Sequence, residues 1–298
     1  GVFLYAVTGE GYRAQPPEEG EGATVAVGPA PSYEEIARQW PRFRGPDGNG
    51  HSRYTNVPAS WNGESGEHIL WKTKVPLPGP NSPVAWGTRV FLSGATRQAR
   101  EVFCFDADTG ELLWRGPVGT PAGSMTEPPE VMEDTGFASP TCATDGRYVC
   151  AVFANADVGC FTVDGKEVWV RNIGRFRNMY GYASSLLIHK ETLIIQADEG
   201  EPGQGYSRLL ALDLRTGRTA WEASRPVGSS WASPVIARPE GRLELLTCAD
   251  PLVMAHNPDD GAELWRAELL SGDVAPSPVW HDGLAFAVNT GAVLAAIR

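Results

Sequence analysis

The chain has 298 residues, of which 42% are apolar, and carries a formal net charge of −11 at pH 7. This negative charge argues against nucleic-acid binding, because proteins that bind nucleic acids gain affinity by neutralising phosphates with lysine and arginine. The length exceeds that of an ordinary single domain but suits a continuous repeat array with a distributed core, and 34 glycines and 24 prolines suit many turns.

The first segment in chain order, residues 1–39, differs in composition from the rest. Residues 1–7 are apolar, and residues 15–31 are rich in proline, glutamate and glycine, which predicts an extended, disordered linker. The apolar start is either the stub of a signal or anchor helix, giving a membrane tether through residues upstream of Gly1, or a loose tail. We therefore predict an anchor stub and linker over residues 1–39 and a repeat domain over residues 40–298.

A turn followed four residues later by tryptophan recurs along the repeat domain. The full phrase runs from aspartate or asparagine through glycine to tryptophan, and a shortened copy covers residues 164–169. An Asp or Asn side chain can bond to backbone amides just ahead of it, and glycine supplies the positive φ of a tight hairpin. The turn glycines are Gly110, Gly165, Gly217 and Gly261, and the tryptophans are Trp114, Trp169, Trp221 and Trp265, with Trp71 ending an earlier, diverged copy.

Successive tryptophans stand 43, 55, 52 and 44 residues apart, near the period expected when each repeat is one four-stranded propeller blade. Small residues lie six positions before the glycine, at Cys104, Ala211 and Ala255. A small residue on one strand beside a large flat ring on the next suits sheets stacked face to face. We therefore predict that these tryptophans and turn glycines form blade-docking contacts.

A second phrase marks the start of each repeat. Serine and proline precede a short apolar stretch at residues 82–84, 139–141, 233–235 and 277–279, and two serines do so at residues 184–186. Proline is tolerated at the first residue of a strand but not in its middle, so the phrase predicts the beginning of the innermost strand of each blade. The count is four complete blades, an outermost strand at residues 70–75, and an unfinished fifth blade that ends in a strand at residues 293–298.

The phrase small-x-Asp-x-x-Thr-Gly-x-x-x-Trp, which residues 211–221 match, resembles the tryptophan-docking repeat of the pyrroloquinoline-quinone (PQQ)-like β-propellers. The resemblance covers residues 40–298, and residues 40–50 and 178–185 are similar to a planctomycete-type subgroup. It implies an all-β propeller of four-stranded antiparallel blades, eight of which normally close the ring, so that this chain corresponds to about half a ring. Because closure hides strand edges, we expect an incomplete ring to associate with itself or aggregate.

The resemblance implies two alternative functions. One is a non-catalytic scaffold outside the cytoplasm, as in the propeller lipoprotein of the outer-membrane β-barrel assembly machinery, which binds a protein partner through its rim. The other is a PQQ-dependent dehydrogenase that oxidises alcohols or sugars, holding the quinone between a tryptophan and a disulfide of adjacent cysteines, with calcium beside it. The chain contains no adjacent cysteine pair. We therefore predict a periplasmic scaffold with no PQQ, no calcium and no catalytic residue.

The cysteines and histidines show no metal-ligand spacing. Cys104, Cys142, Cys150, Cys160 and Cys248 fall on predicted strands without a CxxC motif, which favours buried apolar roles over zinc binding. Cys142 and Cys150 flank one predicted hairpin and are the pair expected to form a disulfide if the compartment is oxidising.

Two long insertions without strand pattern, residues 119–136 and 198–206, predict a working surface on one rim, because such loops are commonly functional. Their carboxylates either contact a partner, bind calcium or are simply solvated. Residues 171–180 bring arginines and aromatics, which suit either an interface or an ordinary connection between blades. The predicted protein-binding surface consists of Glu127, Glu130, Glu133, Arg175, Arg177, Tyr180, Asp198 and Glu199.

Overall fold

The structure is a computed structural model that describes residues 27–56, 59–125, 127–174, 176, 178, 180–289 and 293–298. Five antiparallel sheets follow one another along these residues, and within each sheet every strand pairs with the next in sequence. The first sheet contains β1 (Val84–Trp86), β2 (Arg89–Ala95), β3 (Arg100–Asp106) and β4 (Leu112–Pro117). The second contains β5 (Ala143–Thr144), β6 (Tyr148–Val152), β7 (Asp157–Thr162) and β8 (Glu167–Asn172).

The third sheet contains β9 (Leu187–His189), β10 (Thr192–Ala197), β11 (Arg208–Asp213) and β12 (Thr219–Ser224). The fourth contains β13 (Val235–Ala237), β14 (Glu244–Ala249), β15 (Leu252–His256) and β16 (Glu263–Glu268), with a 3₁₀ turn at Pro239–Gly241. The fifth has three described strands, β17 (Val279–His281), β18 (Leu284–Val288) and β19 (Leu294–Ile297). Four complete blades and a partial fifth, numbered here blades 1–5, confirm the predicted all-β propeller architecture.

The hairpin phrase folds as its residues predict. The turn glycines have φ values of +74° at Gly110, +88° at Gly165, +69° at Gly217 and +76° at Gly261. In blade 1 the Asp106 carboxylate accepts the backbone N–H groups of Asp108 and Thr109, at 3.0 and 2.8 Å. A register shift follows the third-strand residue that pairs with the tryptophan, and in every complete blade that residue is small: Cys104, Cys160, Ala211 and Ala255. The sequence missed Cys160 because its turn is one residue shorter.

Four of the five predicted docking tryptophans lie on the turn glycine of the next blade, and the turn that would follow Trp265 lies outside the described residues. A Cβ added to Gly110 would be 2.6 Å from the Trp71 ring, and one added to Gly165 would be 2.7 Å from the Trp114 ring. Trp169 on Gly217 and Trp221 on Gly261 repeat this arrangement at 2.7 and 2.5 Å. The indole N–H of Trp71, Trp114 and Trp169 also donates to a backbone carbonyl of that turn, of Ala107, Val163 and Leu214 respectively.

A second set of contacts joins the blades at the start of their inner strands. The Ser82 N–H donates to the Thr141 hydroxyl, that of Thr141 to the Ser185 hydroxyl, that of Ser185 to Ser233, and that of Ser233 to Ser277, all at 2.9 to 3.1 Å. The equivalent residue in blade 2 is therefore Thr141 and not Ser139, since Thr141 lies two residues before its inner strand, as Ser82, Ser233 and Ser277 do.

Residues 70–75 form no strand, contrary to prediction. The segment nevertheless lies along blade 1, where Trp71, Thr73 and Val75 line an apolar groove with Val90 and Phe105. A strand is defined by a hydrogen-bonded neighbour, and the described residues offer this segment none.

The connections of the blades lie at two ends, because neighbouring strands are antiparallel. The β1–β2 and β3–β4 connections of each blade share one end, called here the hairpin face. The β2–β3 connection and the link to the next blade share the other end, called here the loop face. Residues 27–50 cover the inner part of the hairpin face: α1 (Tyr33–Ile36) precedes a bridge between Trp40 and Ala85, and the Thr144 N–H donates to the Pro41 carbonyl at 2.8 Å. Residues 27–39 of the predicted linker thus contact the sheets, while residues 1–26 lie outside the described part.

Candidate partner-binding surface

The structure brings both predicted insertions to the loop face. Residues 119–136 connect blade 1 to blade 2, and residues 198–206 connect the second and third strands of blade 3. Residues 173–186, which carry Tyr180, connect blade 2 to blade 3 on the same face. The candidate surface is therefore one face made from connections of three consecutive blades. Arg175 and Arg177 lie outside the described residues.

The glutamates of the first insertion are exposed beside a cleft. Glu127, Glu130 and Glu133 all project to solvent. A cavity of about 270 Å³ opens next to them, bounded by the β2–β3 connection, the insertion and the β6–β7 connection, and includes Arg97, Arg100, Ser124 and Asn155. A neighbouring depression of about 430 Å³ is lined by Arg97, Phe137 and residues 130–133. The Arg97 guanidinium lies 5.9 Å from the centre of the Phe137 ring.

A buried carboxylate, that of Asp157, is bonded to residues that line this cleft. Asp157 is completely buried and forms an ion pair with the Arg100 Nε at 3.2 Å. The hydroxyl of Ser124, within the insertion, donates to Asp157 at 2.5 Å, and the Asn172 amide donates to it at 2.8 Å. Charge-assisted hydrogen bonds of this kind are strong, so one end of the acidic insertion is fixed to the blades.

Asp198 and Glu199 are buried rather than presented to solvent. Asp198 is an internal partner: it forms an ion pair with Arg225, both side chains being fully buried. Ser230 donates to the same carboxylate at 2.6 Å and Gln196 at 2.7 Å. The exposed part of this insertion is residues 201–206.

Tyr180 is half-buried and packs edge-on against Trp231, with ring centres 5.1 Å apart. Asn178 orders the pair, because its side-chain oxygen accepts both the Trp231 indole N–H at 2.9 Å and the Tyr180 backbone N–H at 3.1 Å. The two aromatic rings therefore add a preformed apolar and hydrogen-bonding corner where blades 3 and 4 begin.

Sequence reasoning missed several residues of this face, although the repeats contained the signal. Four positions after each tryptophan stand Val118, Ile173, Arg225 and Leu269, whose backbone N–H groups make equivalent hydrogen bonds. Arg225 is the charged exception. Trp231 is likewise a tryptophan outside the hairpin phrase. Arg97 and Asp157 had no such signal, because only the packing of blade 1 on blade 2 gives them a shared cleft.

The described residues contain no group of three or more His, Cys, Asp or Glu side chains that could hold a metal ion. All five cysteines are free and buried. Cys150 lies opposite Cys160, with sulfurs 2.8 Å apart, and not against Cys142 as predicted. The reason is alternation along a strand: Ala143 pairs with Cys150, so Cys142 points to the other face of the sheet. Burial raises the pKa of the Cys142 thiol to about 12, which leaves it protonated and unreactive.

No family model matches the chain. Outer membrane protein assembly factor BamB from Burkholderia pseudomallei (strain K96243) is 28% identical over 173 residues, which is 55% of this chain and 40% of that protein. The structure of BamB from Moraxella catarrhalis aligns with a TM-score of 0.51 and 17% identity, over 77% of this chain and 63% of that one. A quinohemoprotein alcohol dehydrogenase from Pseudomonas putida HK5 aligns with a TM-score of 0.62 and 13% identity, over 89% of this chain and 47% of that one.

These proteins share one fold with this chain, which is a β-propeller built from PQQ-like repeats. The chain spans 40% of the curated relative and about half of the dehydrogenase. The planctomycete-type subgroup stays a prediction. No helix within the described residues is long and apolar enough to cross a membrane.

The described residues do not fit the quinone site that the dehydrogenase resemblance implies. The two cysteines in contact, Cys150 and Cys160, pair across neighbouring strands and are wholly buried in the core with Trp169 and Leu212. The buried carboxylates Asp157 and Asp198 are already paired with arginine. The described cysteines thus form no platform of adjacent sulfurs, and these two buried carboxylates are not free to hold calcium.

Proposed function

We propose that this chain is a non-catalytic scaffold that binds a protein partner through its loop face, outside the cytoplasm. One observation carries the proposal: the insertion at residues 119–136 is tied to the blades through Ser124 and Asp157, yet presents Glu127, Glu130 and Glu133 to solvent beside an open cleft. A loop that is anchored but exposes its charges loses little entropy on binding, which favours recognition. The similarity to a protein named as an assembly factor supports the same reading.

The chemistry of the surface indicates what the partner presents. The exposed glutamates and the net charge of −11 attract a basic partner and accelerate its encounter. In the cleft, the planar Arg97 guanidinium lies over the Phe137 ring. This pair suits an aromatic or acidic side chain of the partner inserted into the cleft. The expected partner surface is therefore a protein segment with basic residues flanking one anchoring side chain.

Access to the molecule supports the choice of face. Residues 27–50 already cover the inner part of the hairpin face, and Arg238 stacks on Tyr33 there at 3.6 Å from the ring centre. The loop face carries no such cover from the described residues. A periplasmic location with an anchor upstream of Gly1 completes the proposal, and fractionation of cells that make the full protein tests it.

Site-specific photocrosslinking tests the binding face. A photoreactive residue at Met132, which is exposed on the insertion, should capture a protein from the cell envelope. Replacing Glu127, Glu130 and Glu133 together by lysine should reduce that capture at least about tenfold, since each close charge contact contributes to affinity.

The matched control uses the hairpin face. There the photoreactive residue replaces exposed Lys166, and the charge reversals are at Asp108, Glu111 and Glu167, which are also exposed. These changes should leave capture at Met132 intact. Capture only from Lys166, or equal loss with both sets of reversals, would show that the loop face is the wrong surface.

The dehydrogenase alternative predicts a different result. When PQQ and calcium are added to the protein, the absorbance of the quinone should stay that of the free cofactor, and alcohols and aldoses should give no dye reduction. Tight, stoichiometric binding of PQQ would favour the enzyme over the scaffold.

A further inference from the structure

Blade 2 differs from the other blades at one position of its second strand. In the other blades the residue opposite the small third-strand residue is large and apolar: Phe91 in blade 1, Ile194 in blade 3, Leu246 in blade 4 and Phe286 in blade 5. In blade 2 this position is Cys150, and the small residue opposite it is Cys160. A shorter side chain in a core gives up apolar contacts, so packing alone does not explain the cysteine.

The two cysteines lie directly opposite each other on neighbouring strands. At one end of the β6–β7 pair the Phe153 N–H donates to the Asp157 carbonyl at 3.0 Å, and at the other end the Val163 N–H donates to the Arg147 carbonyl at 3.0 Å. Hydrogen-bonded and non-hydrogen-bonded pairs alternate along antiparallel strands. Because Cys150 is three residues from both Arg147 and Phe153, the two cysteines form a non-hydrogen-bonded pair, whose Cα atoms are about 4.5 Å apart.

This geometry meets the requirements of a disulfide. A disulfide needs Cα atoms about 4.4 to 6.8 Å apart and a sulfur–sulfur bond of about 2.05 Å. The register places the Cα atoms in that range, and the two sulfurs are already 2.8 Å apart, so a shift of less than about 1 Å brings them to bonding distance. Cys104 has the same place in blade 1 as Cys160 in blade 2, but it lies opposite Phe91.

We propose that Cys150 and Cys160 form a disulfide between β6 and β7, made by exchange with an external disulfide while the chain folds. One cysteine thiolate attacks a sulfur of the external disulfide and expels a thiolate. The other cysteine then attacks the mixed disulfide and expels the second thiolate. The two cysteines together lose two electrons and two protons, and the external disulfide becomes two thiols.

Burial decides when the bond forms. Both cysteines are 0% exposed in a core that also contains Trp169 and, from blade 3, Leu193. Burial raises the pKa of the Cys150 thiol well above its ordinary value, and the neighbouring Cys160 raises it further, so the folded protein contains little of the thiolate that exchange requires. The pair is only 10 residues apart in one hairpin, so exchange takes place before blade 3 packs on blade 2. The packed core then shields the bond from reductants.

The bond closes a hairpin that carries two residues of the loop face. Asn155 lies in the β6–β7 connection and lines the cleft, and Asp157 begins β7. A covalent link between the strands restricts this hairpin in the unfolded chain and so favours the folded one. The bond is independent of the partner proposed for the loop face, because it is measured on the isolated protein and its failure leaves the crosslinking result unchanged.

Tryptic mapping of the 298-residue protein tests the bond. The protein is unfolded in urea, refolded with reduced and oxidised glutathione, and then alkylated in urea without reduction. Trypsin releases residues 148–166 as one peptide that contains both cysteines. We expect this peptide to be unlabelled, while the peptides with Cys104, Cys142 and Cys248 each carry one label. The same map on protein exported by a bacterial host and alkylated at lysis should agree without a refolding step. Labels on both Cys150 and Cys160, or a link to Cys142, would overturn the proposal.

Two controls separate the effect of the fold from nearness in the sequence. In the same glutathione buffer with urea, the equilibrium constant for forming the bond should be at least about tenfold lower, because the unfolded chain does not hold the sulfurs together. Equal constants would show that the register of the strands has no part in the bond.

Cys160→Ala is the matched variant, because alanine is the residue of blades 3 and 4 at this position. It should fold, and its peptide should carry one label, on Cys150. A reductant should lower the urea midpoint of the unaltered protein but not that of Cys160→Ala, since only the first contains a bond to break. Midpoints that do not respond to the reductant in either protein would contradict the disulfide.

Discussion

Arg225 shows how a single residue can depart from a repeat and still fit it. The equivalent positions are Val118, Ile173 and Leu269, so a charge here enters a place built for an apolar side chain. Asp198, which follows β10 in the same blade, compensates this charge, and Ser230 and Gln196 are further donors to its carboxylate. A buried ion pair adds little net stability, but removing one member leaves an uncompensated charge.

The Asp198→Ala variant should therefore lose about 3–5 kcal/mol of unfolding free energy. The double variant Asp198→Ala/Arg225→Leu, which restores the apolar residue of blade 4, should regain most of that loss. Urea denaturation of both proteins measures the difference. If the double variant is no more stable than Asp198→Ala, the cost comes from lost packing and not from the stranded arginine.

His256 is a second residue that differs from its equivalents in the other repeats. It takes the place of Phe105, Phe161 and Leu212, and it is 1% exposed. Burial, reinforced by nearby Arg225, lowers the pKa of its imidazole to about 4. Unfolded histidine titrates near 6.5, so between these pH values the unfolded chain binds a proton that the folded chain does not.

Stability should consequently fall as the pH falls from about 6.5 towards 4. His256 alone should cost about 2 kcal/mol between pH 8 and pH 5. Unfolding of His256→Leu, measured at both pH values, should show a smaller loss than the unaltered protein, because the carboxylates titrate alike in both. Equal losses would mean that His256 is protonated in the folded state as easily as in the unfolded one.

The repeated contact between the secondary-structure elements of neighbouring blades is that of one blade's tryptophan with the next blade's turn. The glycine is required there for two reasons: its φ is positive, and a Cβ would collide with the indole. The serine and threonine series from Ser82 to Ser277 adds a second link near the inner strands. Each blade is thus fixed to its neighbour at two distances from the inner edge.

Trp221→Ala should lose about 3–5 kcal/mol of unfolding free energy, as expected for removal of a large packed aromatic ring. Trp61→Ala is the control, since Trp61 is 66% exposed and lies outside the sheets; it should lose much less. Urea denaturation of the two variants decides the point, and equal losses would contradict the docking role of the tryptophans.

At the scale of the whole molecule the two faces differ in what they leave accessible. Residues 27–50 lie across the hairpin face, whereas the loop face collects the long connections of blades 1 to 3. Function is therefore expected on the loop face.

The repeat could be predicted from the residues alone. The hairpins could be predicted because turn glycines and Asx side chains act on the backbone of a few neighbouring residues. The spacing of the tryptophans predicted the number of blades. The proline phrase located the inner strands of blades 1, 4 and 5 but misplaced that of blade 2 at Ser139 instead of Thr141.

Which side chains meet over long distances in the chain depends on how the strands and blades pack. Asp198 was expected on a surface because its loop is polar, yet it is buried against Arg225, 27 residues further along the chain. Cys150 faces Cys160 and not Cys142, because register and alternation choose the partner. Residues 70–75 have the pattern of a strand but are not one, since a strand also needs a neighbour, and a neighbour is a property of the assembled fold.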